Sequence, residues 1–141
     1  MFPEWIEIRN KIVADKFDLS GRDLSEAKLM RADLSEAHLS GTDLTKAYLI
    51  CANLKGADLR EANLTGAVLS EANLSGADLT DAELEDAYLC GTDLRGAINL
   101  TCDQIELAFI DRDTIFPDYI QVSWDSQGYY ECRECSPREK V

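Results

Sequence analysis

The sequence predicts an all-β solenoid, and three observations carry that prediction. Leucine stands at every fifth position from Leu19 to Leu94 without a break. Alanine precedes most of these leucines by two residues, from Ala27 through Ala87, with Thr42 and Thr92 in the same place. The residues between are turn formers such as Ser-Glu, Ser-Gly, Thr-Gly and Asp.

A period of five suits neither regular element. Five residues of α-helix advance roughly 500°, so the leucines would spiral around the axis instead of lining one face. In a continuous strand, side chains alternate with period two, so successive leucines would point to opposite faces. Each pentad therefore contains a turn that resets the direction, and the chain coils with leucine and alanine inside.

Ala-Asp-Leu-Ser-Glu at 32–36, Ala-Asn-Leu-Lys-Gly at 52–56, Ala-Asn-Leu-Thr-Gly at 62–66 and Ala-Asp-Leu-Thr-Asp at 77–81 resemble the A(D/N)LXX unit of pentapeptide repeat proteins. The resemblance implies a right-handed quadrilateral β-helix with four pentads per coil, here four to five coils, and short capping helices are expected at both termini.

In chain order, residues 1–16 read as an N-terminal capping helix. Pro3 suits a helix start, and Trp5, Ile8 and Ile12 form a stripe with Ile6 and Val13 nearby. A helix that docks a partner is the other reading. Residues 17–100 are the coils. Phe17 takes the first alanine-type position, where its bulk is expected to close the bottom of the core. Arg22 takes the next, and its guanidinium is expected to escape past a splayed first coil.

Sorting the pentads by every fourth one gives four faces. Three are polar before the leucine, as in Asp33, Asn53, Asn73 and Asp93. The fourth carries Lys28, Tyr48, Val68 and Tyr88 before its leucines, and Met30, Ile50, Ser70 and Cys90 after them. Met30, Tyr48, Ile50, Val68, Tyr88 and Cys90 are therefore the candidate interaction face, since a contiguous apolar patch calls for a cover. The C-terminal segment, a second copy in a homodimer, or a different protein would each supply one.

After Leu94 the repeat decays, and Asn99 stands where leucine is due. Residues 101–118 read as a C-terminal capping helix and turn: Thr101 to Gln104 has the form of a capping box, and the helix is expected over Cys102–Ile110. The segment resembles the C-terminal cap of pentapeptide repeat proteins common in cyanobacteria. Residues 119–141 are a tail with a possible hairpin around Asp-Ser-Gln-Gly128 and an end, from Ser136, expected to be mobile.

Little in the chain suggests catalysis. Cys132-x-x-Cys135 is an isolated pair without the second pair of ligands that zinc needs. His38 is the only histidine and reads as an outward, solvated side chain. The aspartates before the leucines recur because the turn recurs and accepts Asp or Asn equally. No catalytic residue, cofactor-binding residue or metal ligand is assigned, and the protein is expected not to be an enzyme.

The net charge of −13 disfavours direct binding to nucleic acid. Residues 1–16 lack a signal peptide's basic start and unbroken apolar run, and no stretch is long and apolar enough for a membrane span. Five cysteines, an odd number at irregular spacing, argue against a disulfide framework, so the expected compartment is the cytoplasm. The first functional reading is a non-enzymatic scaffold or protein–protein interaction module with an unknown protein partner. The alternative comes from the resemblance: some members of the family mimic B-form DNA and bind DNA gyrase, and this chain is acidic.

Overall fold

In the computed structural model, which describes residues 2–135, every pentad of the repeat closes a β-turn. The leucine carbonyl accepts from the alanine-position amide three residues on, as from Ala27 to Leu24 at 3.1 Å and from Ala62 to Leu59 at 3.0 Å. The third turn residue is left-handed, which is the type II pattern. It is glycine at Gly66 (φ 67°) and Gly76 (φ 69°), but glutamate at Glu26 (φ 59°) and Glu61 (φ 60°). From Asp23 onward, where Asp or Asn precedes the leucine, its Oδ1 accepts from the amide two residues later, as Asp23 does from Ser25 at 3.0 Å and Asn63 from Thr65 at 3.0 Å. That bond locks the corner and is indifferent to amide or carboxylate.

The coils stack with a twenty-residue period. Asp23, Asp43, Asn63 and Glu83 form one parallel ladder, and Asp33, Asn53, Asn73 and Asp93 another. Twenty residues are four pentads, so four corners make one coil. The amides of one coil donate to the carbonyls of the next: Leu24 to Asp43 at 2.7 Å, Leu44 to Asn63 at 2.8 Å. The leucines from Leu19 to Leu94 and the alanines from Ala32 to Ala97 fill the interior. Thr42 and Thr92 are fully buried in alanine positions. They are tolerated because their hydroxyls donate to the carbonyls of Leu19 (3.0 Å) and Leu69 (2.8 Å) in the coil below.

Helix α1 (Glu4–Ala14) lies at the lower end. Glu4 and Glu7 in its first turn and Lys11 in its last complement the helix dipole. Ile12 and Val13 are the side chains that meet the core, whereas Ile8 of the expected stripe is exposed. Phe17 does not plug the core: it is 59% exposed and lies edge-on to His38, with ring centroids 5.5 Å apart. An alanine corner has no room for its ring, and the helix residues already cover that layer. Arg22 is exposed and pairs with Asp18 at 3.2 Å and Asp15 at 3.5 Å. Its guanidinium leaves the alanine position without splaying the corner, since Arg22 N still donates to Leu19 O at 3.1 Å and Asp43 N to Arg22 O at 2.9 Å.

At the upper end, Asn99 turns left-handed (φ 58°) and Leu100 enters the core one residue late. Thr101 and Gln104 then form a reciprocal capping box for helix α2 (Cys102–Leu107). The helix is shorter than the sequence suggests because Phe109 extends and pairs with Tyr88 in a further layer. Ile115 likewise pairs with Asp93, and the buried Thr114 hydroxyl donates to the Leu89 carbonyl at 2.7 Å.

Strands β1 (Ile120–Trp124) and β2 (Tyr130–Glu134) form an antiparallel hairpin. Asp125 closes its turn by accepting from the amides of Gln127 and Tyr129. The hairpin rests on the upper end of the stack. Tyr119 Oη donates to the Ala97 carbonyl at 2.5 Å and accepts from Leu100 N at 2.9 Å.

A disulfide joins Cys102, the first residue of α2, to Cys132 on β2, with Cα atoms 5.6 Å apart. This overturns the expectation, drawn from an odd number of irregularly spaced cysteines, that no disulfide forms. Three residues along an extended strand span about 10 Å and reverse the side-chain face. Cys132 therefore reaches α2, while Cys135 is a separate, buried free thiol. The expected mobile end, residues 136–141, lies outside the described residues.

Candidate interaction face

The face that differs from its neighbours does so for a local reason. On the other three, most residues before the leucine are Asp or Asn held back against their own turn. On this one, Lys28, Tyr48, Val68 and Tyr88 have no such bond to make, and their side chains project. The backbone still pairs regularly: Tyr48 N donates to Ala27 O at 2.9 Å and Val68 N to Ala47 O at 2.9 Å.

The ladder runs Lys28, Tyr48, Val68, Tyr88, Phe109. Tyr48 is 43% exposed, Tyr88 44% and Phe109 47%. Tyr88 and Phe109 stack, with centroids 4.9 Å apart and planes 25° from parallel. In the next column Ile50 is exposed, while Met30 and Cys90, like Val68 beside them, are half-buried. All six residues expected to share this face do share it, in consecutive layers.

Phe109 was not legible as a member. It stands 21 residues after Tyr88, because α2 is inserted into the last coil, and that spacing breaks the twenty-residue count. The hairpin does not cover the face, since it is committed to the upper end.

The edges of the face are charged. Lys46 and Asp86 lie on one edge, two layers apart. On the other, Arg31 stands at the bottom and Asp111 at the top, where its carboxylate accepts from Gly91 N at 3.0 Å. Burial alone would raise Asp111, but donors from Gly91, Thr114 and Asp113 hold its carboxyl below the usual range. Burial pushes the Cys90 thiol up, and the Asp111 carboxylate adds to this, so Cys90 stays protonated. Cys51 and Cys90 are both free, and the Cys51 thiol donates to Glu71 Oε2 at 3.6 Å.

Elsewhere, a hollow of about 590 Å³ opens between Ile98, Leu100, Tyr119 and Cys135. Its polar groups are already engaged, Tyr119 Oη with two backbone partners. His38 sits exposed on the outer surface, edge-on to Phe17. No helix among the described residues is long and apolar enough to cross a membrane.

The profile of the pentapeptide repeats matches this chain in eight copies, over residues 18–49, 27–66 and 57–96. Among solved structures, the chain is similar to HetL, a pentapeptide repeat protein involved in heterocyst differentiation regulation in the cyanobacterium Nostoc sp. strain PCC 7120. The identity is 41% over 55% of this chain and 41% of HetL, with a TM-score of 0.37. It therefore spans well under half of HetL's length. A pentapeptide repeat protein of the Arabidopsis thaliana thylakoid lumen is 32% identical over 78% of this chain and 70% of its own, with a TM-score of 0.44. QnrB1, a plasmid-mediated fluoroquinolone resistance protein, is 23% identical over 53% of this chain and 37% of its own, with a TM-score of 0.44. No curated protein matches the sequence.

Proposed function

The chain belongs to the pentapeptide repeat family, and from that premise we propose that it is a non-enzymatic protein–protein interaction module that works through the Tyr48–Tyr88 face. The observation that carries this reading is the continuous ladder of Tyr48, Val68, Tyr88 and Phe109, exposed at every member but the half-buried Val68, where the other columns carry mainly polar side chains and single apolar ones such as Ile98 and Ile115. Isolated exposed apolar residues need no explanation, but a column of them stacked about 4.8 Å apart does. The coil takes the right-handed, four-sided form of the family, and α1 and α2 act as its end caps. They cover edges that would otherwise template stacking with other chains.

The test is the double variant Tyr48→Glu, Tyr88→Glu. It should fold as wild type by circular dichroism and lose the associations that wild type shows in size-exclusion chromatography and affinity capture. Unchanged association would remove the reading.

The acidic DNA-mimic reading rests on the net charge of −13. The geometry weakens it. Asp23, Asp33, Asp58 and Asp93 turn their carboxylates onto their own turns, and Arg60 and Arg95 fold back to bond Asp58 and Asp93 at 2.7 Å. Absence of any effect on gyrase supercoiling at micromolar protein would dispose of it.

The disulfide also bears on compartment. Such bonds persist where the surroundings oxidise and are rare in the cytosol. In place of the cytoplasm we propose an oxidising compartment, tested by counting the alkylatable thiols of protein taken from its native cell without reductant.

A further inference from the structure

The Tyr48–Tyr88 face reads almost the same in both directions along the coil axis. From the bottom, its main column is Lys28, Tyr48, Val68, Tyr88, Phe109. Val68 is in the third of five layers, with a tyrosine one layer below it and another one layer above. A column of this kind is self-complementary under a two-fold axis that lies in the plane of the face and crosses the rod at Val68. Two copies then pack face to face with their coils antiparallel. Val68 meets the partner's Val68, and Tyr48 meets the partner's Tyr88. Lys28 comes over the partner's Phe109, where an ammonium is favoured on the ring.

The charged edges decide between this arrangement and its alternatives. Lys46 is one layer below Val68 and Asp86 is one layer above, and both lie on the same edge: Lys46 N donates to Thr65 O, and Asp86 N to Leu107 O, along one column of corners. The two-fold axis brings Lys46 opposite the partner's Asp86, twice. On the other edge, Arg31 in the first layer comes opposite the partner's Asp111 in the fifth, also twice. A parallel pairing makes neither match: it sets Lys46 against the partner's Cys51 edge, leaves Asp111 without a cation, and gains only Glu26, at the foot of the Lys46 column, opposite the partner's Arg31, two ion pairs against four. Glu71, the one acid at the height of the axis, turns aside to the Cys51 thiol.

From this complementarity we infer that the face binds a second copy of the same chain, antiparallel, with the two-fold axis at Val68 and Lys46–Asp86 pairs across the interface. The inference rests on the proposal that this face is where the protein associates. The face is about five layers, or 20 Å, tall. It lies at the small end of specific interfaces, and the dimer accordingly forms in the micromolar range rather than the nanomolar.

The test is charge reversal with rescue, read by sedimentation equilibrium on the full chain from about 5 to 500 µM. Wild type should pass from monomer to dimer across this range. Lys46→Asp alone, and Asp86→Lys alone, should each weaken the dimer by about tenfold or more, because each sets like charges opposite one another twice. The double variant, Lys46→Asp with Asp86→Lys, should return to within about threefold of wild type. An equimolar mixture of the two single variants should associate equally well, since each supplies the charge the other lacks.

A chain that stays monomeric throughout overturns the inference, and so does a dimer that neither single variant weakens. A dimer weakened by the single variants but restored by neither the double variant nor the mixture rejects the antiparallel register. If the chain is monomeric and yet its capture of another protein is lost in the Tyr48→Glu, Tyr88→Glu variant, the interaction-module reading stands and only the self-association is lost.

Discussion

At the scale of single residues, the recurring aspartates are the clearest case of a sequence pattern whose meaning is structural. Asp58 and Asp93 each accept the amide two residues on and a guanidinium from Arg60 or Arg95. The guanidinium hydrogen bond is the largest influence holding each carboxyl below its usual range. A carboxylate depressed by folding contributes stability above its unfolded value of about 4, and that contribution is lost as the pH falls through the folded value. The double variant Asp58→Asn, Asp93→Asn keeps both turn acceptors, as Asn53, Asn63 and Asn73 do naturally. Its unfolding free energy at pH 7, from urea titration, should fall by less than about 1 kcal/mol, because each arginine is more than half exposed and its pairing is screened by solvent. Its urea midpoint should also change less than wild type between pH 5 and 2. Asp93→Ala, which removes the acceptor as well, should cost more at pH 7 than Asp93→Asn. Equal costs would mean that the side-chain bond does not hold the corner.

At the scale of elements, what the sequence makes legible is whatever repeats. The corner, the leucine interior, the Thr101–Gln104 capping box and the odd face all follow from residue types at fixed offsets. The ends were harder to read, since each uses contacts made once. Phe17 occupies an alanine position by count, yet α1 had already supplied Ile12 and Val13 to that layer. Phe109 belongs to a ladder by structure, yet α2 shifts it out of step. Gln104 shows how the upper end is joined. Its Nε2 donates to the carbonyls of Leu79 and Ala82, both at 2.9 Å, while its Oε1 accepts from Thr101 N at 2.9 Å. The Leu79 carbonyl also accepts from Ala82 N in its own turn at 3.1 Å, whereas the Ala82 carbonyl faces upward where no further coil supplies an amide. Gln104→Leu should therefore destabilise by about 1 to 2 kcal/mol, chiefly the cost of leaving the Ala82 carbonyl unpaired. Gln104→Glu should be worse at pH 7, because an ionised carboxylate has no proton to donate and is repelled by both oxygens. Its carboxyl is then raised by folding, so the deficit should shrink as the pH is lowered toward 4. Thermal melts at pH 7 and pH 4 give the comparison; a Glu variant with no pH-dependent recovery would remove Gln104 from this role.

At the scale of the whole molecule, a stack of coils is only as stable as its ends, because each layer touches only its neighbours. The lower end is held by α1 through Ile12 and Val13, and by the Arg9 guanidinium bonded to Met30 O at 3.1 Å. The upper end is held by α2 and the hairpin, which the Cys102–Cys132 bond ties together across 30 residues. No periodicity announces such a pairing, and an odd cysteine count points away from it, so it emerges only once the chain is folded. Closing a loop of that length is worth about 3 to 4 kcal/mol in the chain-entropy account. Cys132→Ser should therefore lower the melting temperature by several degrees, and a dithiol reductant should lower that of wild type by a similar amount. The reductant should leave the Cys132→Ser variant unchanged. Alkylation of unfolded wild-type protein without reductant should block Cys51, Cys90 and Cys135 and spare Cys102 and Cys132. If all five cysteines react in protein taken from its native cell without reductant, the bond is not formed there, and the case for an oxidising compartment fails with it. If the bond is present and the melt is indifferent to it, the hairpin is a passenger, and α2 alone closes the stack through Ile105 and Gln104.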